Sequence, residues 1–275
     1  MNDQRIQMCL DAQGVAEVSL SRPEKMNALD AAMFMEIADV LQRLHQEPGL
    51  RAVVLHGAGR AFCAGLDMAS FAQMGAGNVE TGLGDLLTRK YGLANLPQYV
   101  AWGWRQLPVP VIAAVHGVAF GGGLQIALGA DIRLVSSDLQ MSVMEMKWGI
   151  IPDMSGCILM NQLAGTDVVR ELCFTARSFD GNEAVQLGLA THVCAEPLTA
   201  ARAMAQQIAS QNPDAIRACK RLLNQALKAS DAETLLAESM AQQALLGSAN
   251  QMEAVRAAMA KRPPRFVDPP VQGGA

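Results

Sequence analysis

Short β-branched runs alternate along this chain with stretches whose apolar residues recur every three or four positions. Residues 6–10 and 15–20 are strand-like and straddle Asp11-Ala12-Gln13-Gly14, which predicts a β-hairpin. Asp30 then opens a segment running to about His45, where Met33, Ile37, Val40, Leu41 and Leu44 share one helical face. The Asp30 carboxylate is suited to accept from the first free N–H groups of that helix. Pro48-Gly49 ends it before a strand over 51–57. Strand, helix and strand recur with short connections through about Val193, including the apolar run 109–118. That alternation predicts parallel strands with helices outside them.

From Pro197 the sequence is rich in Ala, Gln and Leu and carries helical spacing alone. Breaks near Asn212-Pro213, Ser230-Asp231 and Gly247-Ser248 predict three or four helices. They cannot bury both faces on themselves, so a neighbouring subunit is expected. Three regions follow: a core over 1–196, a helical oligomerisation region over 197–262, and an irregular Pro- and Gly-rich tail over 263–275.

Composition narrows the function classes. The 275 residues are 51% hydrophobic and 17% charged, enough for a substantial core, and the net charge of −4 argues against nucleic acid or an anionic membrane as partner. Six cysteines are scattered without a Cys-x-x-Cys pair, and the four histidines have no ligand spacing, so no metal site is expected. Most of the cysteines sit among apolar sequence neighbours and read as small core residues. A secretory signal, an apolar stretch of membrane-spanning length and a C-terminal peroxisomal tripeptide are all missing from the sequence, which makes a cytoplasmic protein the expectation.

Candidate chemistry lies in two glycine-containing loops. Phe120-Gly121-Gly122-Gly123-Leu124-Gln125 follows an apolar strand and opens a small-residue helix. Glycines there let backbone N–H groups approach a ligand on the positive end of a helix. Ile126 stands where a dinucleotide fingerprint needs Gly or Ala, and no Gly-Lys-Ser/Thr follows, so nucleotide readings fail. Gly59-Arg60-Ala61-Phe62-Cys63-Ala64-Gly65-Leu66-Asp67 follows the strand over 51–57. Two such loops can each aim one N–H at a single carbonyl oxygen, the arrangement that acyl-transfer and enolate chemistry need.

With Ser21-Arg22-Pro23-Glu24-Lys25-Met26-Asn27-Ala28-Leu29 before them and residues 145–156 after them, these segments resemble the crotonase superfamily, the enoyl-CoA hydratase/isomerase family. The resemblance spans about residues 5–260. It implies a spiral of ββα units in an α/β fold, an acyl-CoA thioester as substrate with no separate cofactor, and a homotrimer or hexamer. By position, the N–H groups of Leu66 and Gly122 are the oxyanion donors. Lys25, Met26, Ala28, Ala64, Asp67, Gly121, Gln125 and Trp148 fall where the family binds substrate, and Asp67 also stabilises its own loop. CoA is polyanionic, so Arg22, Lys25, Lys261, Arg262 and Arg265 are candidate cations. Residues 68–107, with Tyr99, Trp102 and Trp104, read either as an amphipathic helix burying its tryptophans or as a cover for the acyl pocket.

The family's hydratases use two glutamates. Here the first position holds Gln125, and the second holds Glu145, four residues before Gly149-Ile150-Ile151-Pro152. An amide cannot exchange a proton near neutral pH. Moving a double bond needs only one base that takes a proton and returns it, so enoyl-CoA or dienoyl-CoA isomerisation with Glu145 as base is the favoured expectation. Asp153 resembles the second proton carrier of dienoyl-CoA isomerases, or else caps the helix over 155–163. Water addition, with Gln125 positioning the water, and non-catalytic acyl-CoA binding are the alternatives. Asp131 is expected to pack beneath the spiral, and His116 to be a satisfied core histidine.

Overall fold

The computed structural model describes residues 4–67, 69 and 85–269. Strands β1 (Ile6–Leu10) and β2 (Val15–Leu20) form the expected antiparallel hairpin. Helix α1 (Ala31–His45) starts at Asp30, whose side chain accepts from Met33 N. Strand β3 (Ala52–Gly57) lies parallel to β2.

Two ββα turns follow. In the first, β4 (Val111–Val115) continues into β5 (Val118–Phe120) and then α3 (Gly122–Leu128), helix α2 (Leu96–Gln106) having preceded β4. In the second, β6 (Ile132–Val135) and β7 (Gln140–Ser142) lead to a 3-10 turn (Met144–Trp148) and α4 (Gly156–Asn161). Helix α5 (Thr166–Thr175), strand β8 (Ser178–Asp180), helix α6 (Gly181–Gln186) and strand β9 (His192–Val193) complete this part. The first strand of each turn joins a six-stranded sheet, β1-β2-β3-β4-β6-β9, and the second joins a three-stranded sheet, β5-β7-β8. Cys63 bridges to Ala119 of β5, so the loop after β3 makes the same step from the large sheet to the small one.

The apolar run expected as one strand over 109–118 is therefore two strands. They are separated at His116-Gly117 and belong to different sheets. His116 is half-buried at that break, where its Nε2 meets the Gly59 carbonyl oxygen at 2.8 Å. It is satisfied, but it does not lie in the core.

Four helices follow, α7 (Pro197–Ala209), α8 (Pro213–Ala226), α9 (Asp231–Leu245) and α10 (Ala249–Met259). Their boundaries fall at the breaks seen in the sequence, with Asn212, Ser230 and Ser248 as side-chain caps. Helix α7 covers one face of the large sheet: Ala201, Ala205 and Ala209 pack on Val54, Ile112, Ala114 and Leu134. Alternate strand residues, Val53, Leu55, Val111 and Ala113, face the other way into the main core with α1 and α2. Burial on both faces is why these strands read as continuous apolar runs. Helix α8 is pinned by Lys220, whose buried ammonium donates to the Val109 carbonyl and to Asp131, 2.8 and 2.7 Å away. Asp131 also accepts from Val111 N, and so it fixes the start of β4. On the outer helices Leu223, Leu235, Leu236, Met240 and Met259 remain exposed in the single chain.

Of residues 68–107, positions 68 and 70–84 lie outside the described residues, and with them most of the proposed cover. Helix α2 is amphipathic and buries one of its two tryptophans: Trp104 is fully buried and donates to the Val100 carbonyl, Trp102 is half-buried, and Tyr99 stacks on Tyr91 at 4.4 Å. Among the cysteines only Cys63 is buried, whereas Cys9, Cys157 and Cys219 are exposed and Cys173 and Cys194 intermediate. Apolar sequence neighbours were a poor guide: Cys173 and Cys194 pack only partly against the core, and the other three face solvent. None of the described helices is long and apolar enough to cross a membrane.

Candidate active site

The two glycine loops meet. Gly65 has φ +85°, and a Cβ there would lie 2.6 Å from the Phe120 carbonyl oxygen and 3.7 Å from Gly122 N. Gly121 adopts φ 50°, ψ −116°, a combination open to glycine and strained for other residues. This turn aims the start of α3 at the 63–66 loop. Leu66 N and Gly122 N have no acceptor among the described residues. Two N–H groups without a described acceptor thus lie on adjoining loops, one of them at a helix start, as a pair of donors to one oxygen atom would require.

Behind the second loop, Asn27 is fully buried and organises the backbone. Its amide nitrogen donates to the carbonyl oxygens of Ala58, Ala61 and Phe62, and its Oδ1 accepts from Arg22 N at 2.7 Å. Met26 and Asn27 both have positive φ, and the Met26 carbonyl accepts from Ala64 N. Sequence reading gave Asn27 no role, although its place in the first motif was a usable signal.

Glu145 enters from the 3-10 turn after β7. Gly121 N donates to the Ser142 carbonyl at 3.0 Å, which holds that turn against the first glycine loop. The Glu145 carboxyl consequently lies over Gly121, with Oε1 3.2 Å from where a Cβ would be. Burial pushes its pKa up. Its own backbone amide and a hydrogen bond from Gln125 oppose that rise, and nearby Asp153 adds to it. Asp153 is likewise raised by burial. Neither carboxyl therefore behaves as an ordinary solvated acid.

Asp153 does not cap a helix. Helix α4 begins at Gly156, with Ser155 in the left-handed region at the N-cap position and without a side-chain cap bond. The Gly156 N–H is taken instead by Gln125 Oε1 at 2.8 Å. The cap function that the sequence offered to Asp153 belongs to Gln125, which leaves the aspartate facing the cavity.

A cavity of about 850 Å³ opens between these loops. Leu66, Gly121, Gly122, Glu145 and Asp153 line it, as do Lys25, Met26, Ala28, Ala64, Asp67 and Trp148. Gln125 is the exception among the expected site residues. It is 1% exposed and stands behind Glu145, outside the cavity wall, because its amide is spent on Glu145 and Gly156. Apart from the carboxyls and the rim, the lining is apolar: Leu29, Phe34, Pro97, Ile150, Ile151 and Met154.

The expected cations divide. Lys25 is exposed at the rim, and Lys147, which sequence reading missed beside Glu145, joins it there, its ammonium 5.5 Å from the centre of the Trp148 ring. Arg22 is instead committed to Asp67 at 2.7 Å and to the Ala28 carbonyl at 3.2 Å. Asp67 also accepts from Ala69 N, which agrees with its expected role in holding the loop. Arg262 pairs with Glu253, and neither it nor Lys261 or Arg265 lines the cavity.

Comparison with known proteins places this geometry. The family model for enoyl-CoA hydratase/isomerase matches residues 11–269. The chain is 32% identical over 262 residues to the mitochondrial enoyl-CoA hydratase domain-containing protein 2 of Homo sapiens, covering 93% of this chain and 86% of that one. It is also 32% identical over 259 residues to the peroxisomal Delta(3,5)-Delta(2,4)-dienoyl-CoA isomerase of Arabidopsis thaliana, covering 92% of each chain. The crystal structure of an enoyl-CoA hydratase from Bacillus anthracis superposes with a TM-score of 0.86 at 29% identity, over 96% of this chain and 99% of that one. With two loops offering free N–H groups beside a buried glutamate on this fold, the chain belongs to the enoyl-CoA hydratase/isomerase family of the crotonase superfamily.

Proposed function

We propose that this protein moves carbon–carbon double bonds in enoyl- or dienoyl-CoA thioesters, with Glu145 as principal base and Asp153 as second proton carrier. The observation that carries this reading is the division of the polar groups. Two carboxyls with raised pKa face the cavity, while Gln125, which holds no titratable proton, stands behind one of them. The thioester oxygen takes the Leu66 and Gly122 N–H groups, whose hydrogen bonds strengthen as negative charge develops on that oxygen. That makes the α-carbon acidic enough for a carboxylate whose pKa burial has raised. Glu145 removes a proton, and Glu145 or Asp153 returns one at the far end of the dienolate. Lys25 and Lys147 meet the phosphates of CoA at the rim. The resemblance to a dienoyl-CoA isomerase over nearly the whole chain supports this choice.

Water addition to 2-enoyl-CoA is the second reading. The same pair of cavity-facing carboxyls favours it, since together they offer an acid and a base. Incubation with 2-enoyl-, 3-enoyl- and 3,5-dienoyl-CoA separates the two, because hydration adds the mass of water and isomerisation leaves mass unchanged. A protein that only binds acyl-CoA would change none of the three. The exposed leucines and methionines of α8, α9 and α10 support a homotrimer or hexamer, which light scattering on the purified protein tests. A cytoplasmic location and the lack of any cofactor beyond substrate CoA complete the proposal.

A further inference from the structure

Gln125 makes the two oxygens of Glu145 unequal. Its Oε1 accepts from the backbone N–H of Gly156 at 2.8 Å, and since that partner can only donate, the orientation of the amide is fixed. The NH2 group must then face Glu145, and it donates to Oε1 at 2.5 Å. Gly156 is small for this contact, because a Cβ there would lie 2.5 Å from Gln125 Oε1 and 2.8 Å from its Cδ. The second carboxylate oxygen of Glu145, Oε2, is buried and has no hydrogen-bond partner among the described residues. One oxygen is held by a donor that does not titrate, and the other is buried without a partner among the described residues.

We propose that Gln125 is a positioning residue that reserves Oε1 of Glu145 as a permanent acceptor, so that Oε2 alone takes up the substrate proton and returns it. The inference rests on the isomerase reading of this site. In the step it describes, Oε2 removes a proton from C2 of a 3-enoyl thioester. The C–H bond breaks, and its electron pair enters a dienolate whose charge sits on the thioester oxygen. When the dienolate collapses, C4 takes the same proton from Oε2, the double bond moves to C2–C3, and the carboxylate is restored. No electron is gained or lost overall, and no other reactant is consumed. A proton on Oε2 has no hydrogen-bonded route through Gln125 to carry it away.

Two measurements test this. The first uses the unmodified protein: 3-enoyl-CoA is isomerised in deuterated water, and the product is read by mass and by proton resonance at C4. Most product molecules should carry protium at C4 after one turnover, and complete deuteration would overturn the proposal. The second uses Gln125→Met, which removes both hydrogen bonds at similar volume. The carboxyl stretch of Glu145, assigned by infrared difference against Glu145→Gln, should titrate at higher pH in this variant, since the lost bond favours the ionised form. Turnover on the acid side of the pH profile should fall about 10- to 100-fold, the usual worth of a hydrogen bond to a charged group. A folded Gln125→Met protein whose Glu145 titration is unmoved overturns the positioning role whatever reaction the protein catalyses. If instead only water addition is found while the titration moves as expected, the isomerase reading fails and the positioning role stands. A purely structural role for Gln125 would lower the melting temperature and leave the titration in place.

Discussion

Replacing Gly123 with alanine should damage catalysis more than replacing Gly122, although Gly122 is the expected oxyanion donor. A Cβ on Gly123 would lie 2.3 Å from the Cys63 carbonyl oxygen, where ordinary contact begins near 3.4 Å, a shortfall of 1.1 Å. The neighbour is backbone and cannot rotate away. That carbonyl also accepts from Phe120 N at 3.1 Å, so pushing it off disturbs the junction of the two loops. The start of α3 and the 63–66 segment must separate by about an ångström, and they carry the Gly122 and Leu66 N–H groups respectively. A misplacement of that size costs about 100-fold in turnover. By contrast, a Cβ on Gly122 would meet Leu29 Cδ1 and Met154 Sδ, both at 2.8 Å and both ends of flexible side chains in the cavity wall. Gly122 does not need a positive φ either, so Gly122→Ala should narrow the acyl pocket and raise KM for bulkier chains while largely keeping kcat. Steady-state kinetics on short and long acyl-CoA substrates decides, with circular dichroism and oligomer mass measured alongside. If folded Gly123→Ala keeps normal kcat while Gly122→Ala loses it, the placement of the donors is refuted.

Glu145→Gln should reduce turnover by about two to four orders of magnitude, the usual worth of a positioned acid–base group, with acyl-CoA affinity little changed by calorimetry. The Glu145→Gln/Asp153→Asn double variant should melt at higher temperature than the parent at pH 8. Both pKa values are raised on folding, so the folded form holds more protons than the unfolded form above the ordinary carboxyl values of 4.5 and 3.8, and parent stability falls as pH rises through that window. Below those values the difference should vanish, and melting curves across pH that stay parallel would contradict it. Turnover itself should fall on the acid side at a pH above the ordinary glutamate range, because Glu145 acts only when ionised. Lys25→Ala and Lys147→Ala should each weaken CoA-thioester binding a few-fold, and less so at high salt, since exposed charges are worth about 0.2–1 kcal/mol.

Much of the fold was legible because local signals and burial agreed. The hairpin, α1 with its Asp30 cap, β3 and the breaks between the last four helices lie where the sequence put them. The failure at 109–118 has a physical cause. Both sheets are buried there, so hydropathy stays high through the change of sheet, and only His116-Gly117 marks it. The role of α7 was hidden for a related reason. Its buried stripe is alanine, which reads as helix propensity, although Ala201, Ala205 and Ala209 let the helix lie close on the sheet.

At the site, residue identities were legible and their directions were not. Backbone donors leave a trace in sequence only through the glycines that make room for them, and those glycines were visible. Gln125 and Asp153 show where such reading stops. Each has two plausible occupations, and which one it takes depends on whether another polar group has already claimed the Gly156 N–H. In the structure Gln125 claims it, which turns its amide toward Glu145 and leaves Asp153 without a capping role. One hydrogen bond thus decides three assignments: the cap of α4, the orientation of the base, and the availability of a second carboxyl in the cavity. The partners stand 31 residues apart in the chain, from α3 to α4, and only packing brings them together. Substituting Gln125 should therefore disturb Glu145 and the start of α4 together, whereas substituting Asp153 should leave the helix start intact.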